Sequence, residues 1–220
     1  SFLPQELGLF LSHYGIQSFV VVIIGYLLGS VNFSIIITRR VNKNDIRSLG
    51  SKNAGFTNVL RSVGKVPAII TFAGDFFKCL LAILIAIYIF WEPVKVPYAM
   101  QYGSYLAGVS CVVGHIYPCF FKFKGGKGIV TAAAMILFID VNVFAIVIVS
   151  FLIVMLLTRI ISMSSIIAAI VYPIATFLIN FLVYYQKGIM GATLSSVWIV
   201  TSISAFVAML VVYKHKSIIQ

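Results

Sequence analysis

The chain has 220 residues, of which 61% are hydrophobic and only 10% are charged, and its mean hydropathy is +1.10. Soluble globular domains carry roughly 25% charged residues, and a soluble fold of this size cannot hide so much apolar surface from water. The composition therefore excludes a soluble protein and predicts a chain that spans a lipid bilayer. The net charge of +11 then indicates anionic lipids or phosphate substrates as partners, and not nucleic acid.

Seven apolar runs approach the ~20 residues that a helix needs to cross the hydrocarbon layer. They cover residues 16–38, 67–91, 98–120, 128–139, 141–158, 164–185 and 191–213. Only Asp140 and Asn142 separate the short fourth and fifth runs, so a bent hairpin and one continuous helix both remain open. Clearer breaks lie at 91–97 and 186–188. We predict an all-α, polytopic membrane bundle of seven transmembrane helices that forms one domain over residues 1–220.

The basic residues predict the orientation of this bundle, because Lys and Arg concentrate in the short cytoplasmic loops of membrane proteins. With seven crossings, all but three of the 16 Lys and Arg residues fall on one side. The three exceptions are Lys78, inside a span, and Lys95 and Lys187, on the opposite side. If the fourth and fifth runs were merged, Arg159 and the basic residues near the C-terminus would change sides. The pattern therefore predicts an outside N-terminus and a cytoplasmic C-terminus.

The first polar loop, residues 50–61, reads Gly-Ser-Lys-Asn-Ala-Gly-Phe-Thr-Asn-Val-Leu-Arg. Glycines let backbone N–H groups converge on an anion, and the guanidinium of Arg61 can clamp a phosphate through two hydrogen bonds. The candidate ligands in this loop are Ser51, Asn53, Thr57, Asn58 and Arg61. A solvated basic loop that only obeys the orientation rule is the alternative.

The second polar cluster covers residues 114–128 and ends in Gly-Gly-Lys-Gly, immediately before a predicted helix. Free N–H groups and the positive end of a helix beside Lys127 would suit a phosphate. Phe121 and Ile129 stand where a Walker A loop requires Gly and Ser or Thr, so a nucleotide hydrolase is disfavoured. A glycine-lysine turn at the membrane interface is the alternative.

One acid and one base lie inside a predicted span. Asp75 and Lys78 are three residues apart, so they share a helical face and can neutralise each other. They form either a structural ion pair or part of a functional site. The three cysteines have no metal-binding spacing, and we predict neither a metal nor a cofactor.

Together these segments resemble the bacterial acyl-phosphate:glycerol-3-phosphate acyltransferase family, the membrane enzymes that start phospholipid synthesis. The resemblance covers nearly the whole chain from Gly25. It depends on residues 29–33 (Gly-Ser-Val-Asn-Phe), on 50–61, on the Asp75 and Lys78 pair, and most specifically on 114–128. It implies the seven-helix fold of that family.

The resemblance also implies roles for individual residues. A serine and an arginine of the first family motif match Ser51 and Arg61. The glycine-rich second motif, assigned to the phosphate of glycerol 3-phosphate or of acyl phosphate, matches Gly125, Gly126, Lys127 and Gly128. A serine near the start of the sixth helix matches Ser165, and the histidine that opens the third motif matches His215. The chain departs from the family pattern at Lys52, Phe56, Cys79 and Ile218.

The implied reaction is an attack of the primary hydroxyl of glycerol 3-phosphate on the carbonyl of acyl phosphate. Its products are lysophosphatidic acid and phosphate, formed on the cytoplasmic side of the bacterial inner membrane. Both substrates are anions, so a cationic pocket of Ser51, Arg61 and Lys127 would hold them together and stabilise the developing charge. The proton acceptor is either a phosphate oxygen of the substrate or His115.

The expected partners are the two substrates, membrane lipid and the enzyme that supplies acyl phosphate. Two other functions remain open. A transporter of phosphorylated small molecules would need polar groups through the whole depth of the bundle, whereas the outer side is nearly bare of them. A non-catalytic membrane scaffold would tolerate substitutions at Ser51 and Lys127.

Overall fold

The computed structural model describes residues 2–91 and 99–215, and all regular structure within these two ranges is helical. The α-helices are α1 (Phe2–Ser30), α2 (Phe33–Asn42), α3 (Phe56–Ser62), α4 (Lys65–Ile89), α5 (Ala99–Ile116), α6 (Ile129–Ile139), α7 (Val141–Thr158), α8 (Ile161–Leu178) and α9 (Leu194–Lys214). Short 3₁₀ turns occupy Ile46–Ser48, Cys119–Phe121 and Ile189–Gly191, and α8 continues as a π-helix over Ile179–Tyr185.

Six helical segments in the described ranges are long and apolar enough to cross a membrane. Among the seven predicted spans, the exception is α6, which has 11 residues. It rises about 16 Å at ~1.5 Å per residue, roughly half of the hydrocarbon thickness. The protein is therefore an integral, multi-pass membrane protein with six long apolar spans, and the seventh full crossing stays a prediction. Residues 92–97 of the predicted break, which include Lys95, lie outside the described residues. So do Lys216 and Ile218.

The fourth and fifth apolar runs form two separate helices, so the alternative of one continuous helix is wrong. Asp140 lies between them in an extended conformation, with φ −149° and ψ 100°. Its carboxylate accepts hydrogen bonds from the backbone N–H groups of Asn142 (3.0 Å) and Val143 (3.1 Å). These bonds satisfy two amides that the first turn of α7 cannot satisfy by itself.

The first apolar run, expected as one helix over residues 16–38, is broken. Helix α1 ends at Ser30, and α2 begins at Phe33. Asn32 caps α2, because its side-chain oxygen accepts hydrogen bonds from the N–H of Ile35 (3.2 Å) and the hydroxyl of Ser34 (2.6 Å). The hydropathy of the run concealed this local capping signal, since a single polar residue hardly changes a ~20-residue average.

The break leaves carbonyl groups at the end of α1 without helical partners, in an apolar interior where an unpaired polar group is costly. The ammonium of Lys78 donates hydrogen bonds to the carbonyls of Gly29 (2.9 Å) and Val31 (2.8 Å). Asp75 balances the charge through a 2.8 Å ion pair with Lys78. The pair suggested by the three-residue spacing therefore forms, and it caps the broken helix.

The same end of α1 packs closely against α5. A Cβ atom added to Gly29 would collide with the backbone carbonyl of Cys111, so no larger residue fits there without moving a helix. Gly25 and Gly29 are four residues apart and make a small-residue face, which lets the two helix backbones approach each other. Their role is helix packing.

The described chain forms two compact units. The first contains residues 2–15, 99 and 136–215, and in it α7 packs on α8 and α8 packs on α9. The second contains residues 16–91 and 100–135, and in it α4 packs on α2 and α3. A buried cluster supports the second unit and consists of Ile35, Ile46, Ala54, Val59 and Ala68. The single domain expected over residues 1–220 stays a prediction.

We expect Asp75→Ala to lower the thermal unfolding midpoint by roughly 10 °C. The substitution leaves the Lys78 ammonium buried and unpaired, which costs about 3–5 kcal/mol, and 1 kcal/mol shifts the midpoint of a chain this long by about 2–4 °C. Phe77→Ala is the control, because Phe77 lies on the same helix and is 58% exposed. The measurement is thermal unfolding of the purified variants in detergent. Equal midpoints for the two variants would show that the pair does not stabilise the fold.

Candidate active site

The side chain of Asn58 organises the first polar loop. It is 2% exposed, and its oxygen accepts hydrogen bonds from the N–H of Ser51 (3.1 Å) and the hydroxyl of Ser62 (3.2 Å). The two N–H groups of its amide nitrogen share three carbonyl acceptors at 3.0–3.2 Å, those of Ile46, Leu49 and Asn53. Both polar atoms of Asn58 are thus occupied by groups in the loop and next to it. Its contact with a substrate stays a prediction, whereas its hydrogen bonds show that it supports the loop.

The polar groups available to a ligand in this loop are those of its outer surface. Ser51 and Arg61 are exposed, and Asn53 and Thr57 are half-buried. Arg61 lies in the last turn of α3, and none of the ion pairs among the described residues involves it. A guanidinium without a carboxylate partner can bind a phosphate without first breaking another interaction.

The second polar loop turns back on the end of α5. The N–H groups of Gly125 and Gly126 donate to the carbonyls of Ile116 (3.1 Å) and His115 (3.2 Å). A Cβ atom added to Gly126 would collide with both the imidazole of His115 and the carbonyl of Ala54. Two of the amides expected to face an anion are therefore occupied, and Gly126 is a packing requirement. The amides nearest Lys127 and the start of α6 remain for a ligand.

Lys127 is the half-buried cation of this loop. Burial lowers the pKa of its ammonium group, because the charged form loses hydration. No carboxylate among the described residues pairs with it, so an anionic ligand would restore the interactions that burial removes. The described residues also hold no cluster of His, Cys, Asp and Glu side chains suited to a metal ion. The arrangement suits a phosphate group.

Arg47 lies just before the first polar loop and binds the second one. Its Nε and Nη2 atoms donate to the two carboxylate oxygens of Asp45 (2.9 and 2.7 Å), and its Nη1 donates to the carbonyls of Phe121 (2.8 Å) and Lys124 (3.0 Å). From the sequence alone, Arg47 is only one of several basic loop residues. The acid two positions earlier was the available signal for this clamp, since a planar guanidinium binds a carboxylate through two parallel bonds.

The four predicted catalytic residues, Ser51, Arg61, His115 and Lys127, all belong to the second unit. His115 lies in the last turn of α5 and is 4% exposed. The contact of Gly126 with Ala54 brings the two polar loops together. The sequence predicted which segments are polar, but only the folded chain shows that these segments touch.

Ser165 and His215 lie in the first unit, and each is bonded to its own helix. Ser165 is 3% exposed and its hydroxyl donates to the carbonyl of Ile161 (2.9 Å), while the Nδ1 atom of His215 lies 2.7 Å from the carbonyl oxygen of Val211. Their predicted contacts with substrate stay predictions.

The Asp45–Arg47 clamp yields a pH-dependent prediction. The guanidinium of Arg47 holds the pKa of the Asp45 carboxyl well below its usual range, so the ionised carboxylate stabilises the folded state above pH ~4. This contribution declines as the pH falls through the lowered pKa. At pH 7 we expect Asp45→Asn to lower the unfolding midpoint by roughly 2–4 °C, the shift caused by about 1 kcal/mol, after allowing for solvent screening of a partly exposed pair. The difference in unfolding midpoint between the parent protein and Asp45→Asn should become smaller below pH ~4.

Asp140→Asn is the control, because at pH 7 it should change the unfolding midpoint in the opposite direction, upwards. Burial raises the pKa of the Asp140 carboxyl, so its ionised form opposes folding, and the amide oxygen of the substituted side chain can still accept the capping hydrogen bonds. Thermal unfolding between about pH 3 and pH 8 checks both variants, a range that brackets the ordinary pKa of a carboxyl group. A loss for Asp45→Asn that stays constant down to the acid end of this range would contradict the role of the ionised carboxylate.

Comparison with known proteins connects this geometry to one family. The family profile described as "Glycerol-3-phosphate acyltransferase" matches residues 19–220. The chain is 36% identical to the glycerol-3-phosphate acyltransferase of Syntrophomonas wolfei, over 91% of this chain and 90% of the relative. It is 32% identical to the protein of the same name from Ureaplasma urealyticum, over 87% of this chain and 82% of the relative.

The fold gives the same result. A crystal structure of an integral membrane glycerol 3-phosphate acyltransferase, in its glycerol 3-phosphate form, matches with a TM-score of 0.72 at 31% identity, and the match covers 92% of this chain and 90% of that chain. The lysophosphatidic acid form of that enzyme matches with a TM-score of 0.70. By sequence and by fold, the chain belongs to the glycerol-3-phosphate acyltransferase family.

Proposed function

We propose that the chain transfers an acyl group from acyl phosphate to the primary hydroxyl of glycerol 3-phosphate, which yields lysophosphatidic acid and phosphate. The observation that carries the proposal is the contact between the two polar loops at Gly126 and Ala54. This contact brings the half-buried Lys127 to the loop that bears Ser51 and Arg61. Structures of a relative are described as glycerol 3-phosphate and lysophosphatidic acid forms, which supports the same substrate and product here.

The proposed mechanism is a direct transfer between the two substrates. The hydroxyl oxygen forms a bond to the acyl carbonyl carbon, the bond from that carbon to the phosphate oxygen breaks, and phosphate leaves. Lys127 and Arg61 bind phosphate groups, and Ser51 donates a hydrogen bond to one of them. Such fixed positive groups stabilise the negative charge that develops on the carbonyl and leaving-group oxygens. They also hold two like-charged reactants side by side.

The proton of the hydroxyl moves to a phosphate oxygen of the substrate, so the departing group is hydrogen phosphate. The predicted alternative base, His115, is 4% exposed. A general base must lie within about 2.6–3.2 Å of the group it deprotonates, and such deep burial keeps substrate atoms away from the ring. The burial of His115 therefore favours the substrate oxygen as the base.

The proposed topology has seven crossings, with the N-terminus outside, the C-terminus in the cytoplasm and the site on the cytoplasmic face of the bacterial inner membrane. The positions of the basic residues support this arrangement, because all but three of the 16 fall on one side. The 11-residue α6 can complete a seventh crossing only where the apolar layer is locally thin. The acyl chain enters sideways from the lipid, and the basic loops would also suit the enzyme that supplies acyl phosphate.

The test is product formation by the purified protein in detergent, with acyl phosphate and labelled glycerol 3-phosphate. We expect lysophosphatidic acid from acyl phosphate and none from acyl-CoA. Lys127→Ala and Arg61→Ala should each reduce the rate roughly 10²-fold, the usual effect of removing one group that stabilises the transition-state charge. The control is Lys187→Ala, which removes an exposed lysine from the loop after the π-helix and should leave the rate unchanged.

Equal product from acyl-CoA would contradict the assigned donor. Full activity in both Lys127→Ala and Arg61→Ala would contradict the cationic pocket. A folded parent protein that forms no lysophosphatidic acid would overturn the proposed reaction while leaving the membrane fold intact.

A further inference from the structure

Three ionisable side chains meet in the interior of the second unit. Asp75, Lys78 and His115 are 1%, 5% and 4% exposed. The Nδ1 atom of His115 lies 3.1 Å from Nζ of Lys78 and 3.4 Å from Oδ1 of Asp75. Ionisable groups inside a membrane protein are expensive and normally serve a function. The capping of α1 accounts for Lys78 and its partner Asp75, but it does not account for the histidine.

The hydrogen bonds of Lys78 indicate how His115 is held. An ammonium group has three protons, and three oxygens accept from Lys78: the carbonyls of Gly29 and Val31 and a carboxylate oxygen of Asp75. With those three protons directed at oxygens, the tautomer that completes the network is the one with a proton on Nδ1 of His115, directed at Oδ1 of Asp75. The buried pair therefore sets the orientation of the ring, and Nε2 lies on the opposite edge.

The opposite edge of the ring faces the glycine loop. The Nε2 atom of His115 occupies the space that a side chain at position 126 would fill. The backbone carbonyl of His115 also accepts a hydrogen bond from the N–H of Gly126 (3.2 Å). The carbonyl of Ala54 lies next to the same position. Gly126 thus packs against the imidazole and against the first polar loop, and Lys127 is the next residue.

We propose that Asp75 and Lys78 act through His115 as positioning residues for Lys127. The buried pair fixes the imidazole, the imidazole fixes Gly126, and Gly126 sets where the ammonium of Lys127 meets the phosphate of glycerol 3-phosphate. This proposal rests on the proposed function. It assigns His115 to loop position and not to proton transfer, because the Gly126 backbone occupies the space beside Nε2.

Positioning matters at this site because Lys127 has no carboxylate partner among the described residues to hold it in place. A displacement of ~1 Å can lower the rate of an enzyme by about 10²-fold. If Lys127 holds glycerol 3-phosphate in the ground state as well as in the transition state, a displaced loop weakens substrate binding and so raises KM. Removal of a general base would instead lower kcat by about 10²–10⁴-fold and leave KM unchanged.

The experiment measures the glycerol 3-phosphate dependence of the rate at saturating acyl phosphate. We expect His115→Ala to raise KM about tenfold or more, the effect of losing one charge-assisted contact, with kcat within about threefold of the parent value. His115→Gln keeps a polar atom near the position of Nε2 and should recover most of the lost affinity. Calorimetric titration with glycerol 3-phosphate alone should give the same change in Kd.

Asp75→Asn tests the proposal at a residue that does not touch the loop. The amide oxygen of the substituted side chain still accepts a hydrogen bond from Lys78, so the variant is expected to fold, and it should raise KM in the same direction as His115→Ala. Thr71→Val is the control, because Thr71 is fully buried one turn away on α4 and its hydroxyl has no hydrogen-bond partner among the described residues. This control should leave KM and kcat at the parent values.

A kcat that falls about 10²-fold or more in His115→Ala with KM unchanged would overturn the proposal in favour of a catalytic base. Parent values of KM and Kd in both Asp75→Asn and His115→Ala would also overturn it, since the cluster would then only support the fold. The parent protein separates these outcomes from failure of the proposed function. If the parent neither binds glycerol 3-phosphate nor forms lysophosphatidic acid, the function itself is wrong.

Discussion

The second unit depends on the pairing of backbone carbonyls where its first helix breaks. Carbonyl groups in an apolar interior must be hydrogen-bonded, and at the end of α1 those of Gly29 and Val31 accept from the ammonium of Lys78. That ammonium needs a counter-charge, and Asp75 supplies it from the previous turn of α4. A helix end, an ion pair and the packing of α1 on α5 are therefore linked, and none of them could be changed alone without cost.

The ion pair that caps α1 also contacts the candidate site, through His115. Lys78 and Asp75 hold one edge of the His115 ring, and the other edge lies against Gly126. Arg47, a partly exposed residue just before the first polar loop, binds the second loop through the carbonyls of Phe121 and Lys124. Two different polar networks thus hold the loops of the second unit, one inside the apolar interior and one at its surface. Such support suits a site that must hold two anions at a defined separation.

Some of these features could be read from the chain alone. The acid-base spacing at positions 75 and 78 predicted a pair. Asp140 was a possible turn, and it caps α7. The contacts of Asn58 and Arg47 with backbone carbonyls were hidden, because every residue possesses a carbonyl group, and only the pairing of Arg47 with Asp45 had a signal in the sequence. The amides of Gly125 and Gly126 were expected to face a ligand, and instead they bind the end of α5.

The sequence by itself determined the membrane class, the approximate spans, the polar loops and the family, because hydropathy, charge and motif spacing are properties of the linear chain. Only the tertiary structure decided that the first apolar run breaks at Asn32, that Lys78 caps the break, and that Gly126 contacts both His115 and Ala54. The physical reason is that the Lys78 cap and the Gly126 contacts join segments far apart in sequence, whereas the break at Asn32 depends on a local hydrogen bond that an average over the whole run conceals. A local pattern predicts which groups are polar, but not which carbonyl or ring will meet them.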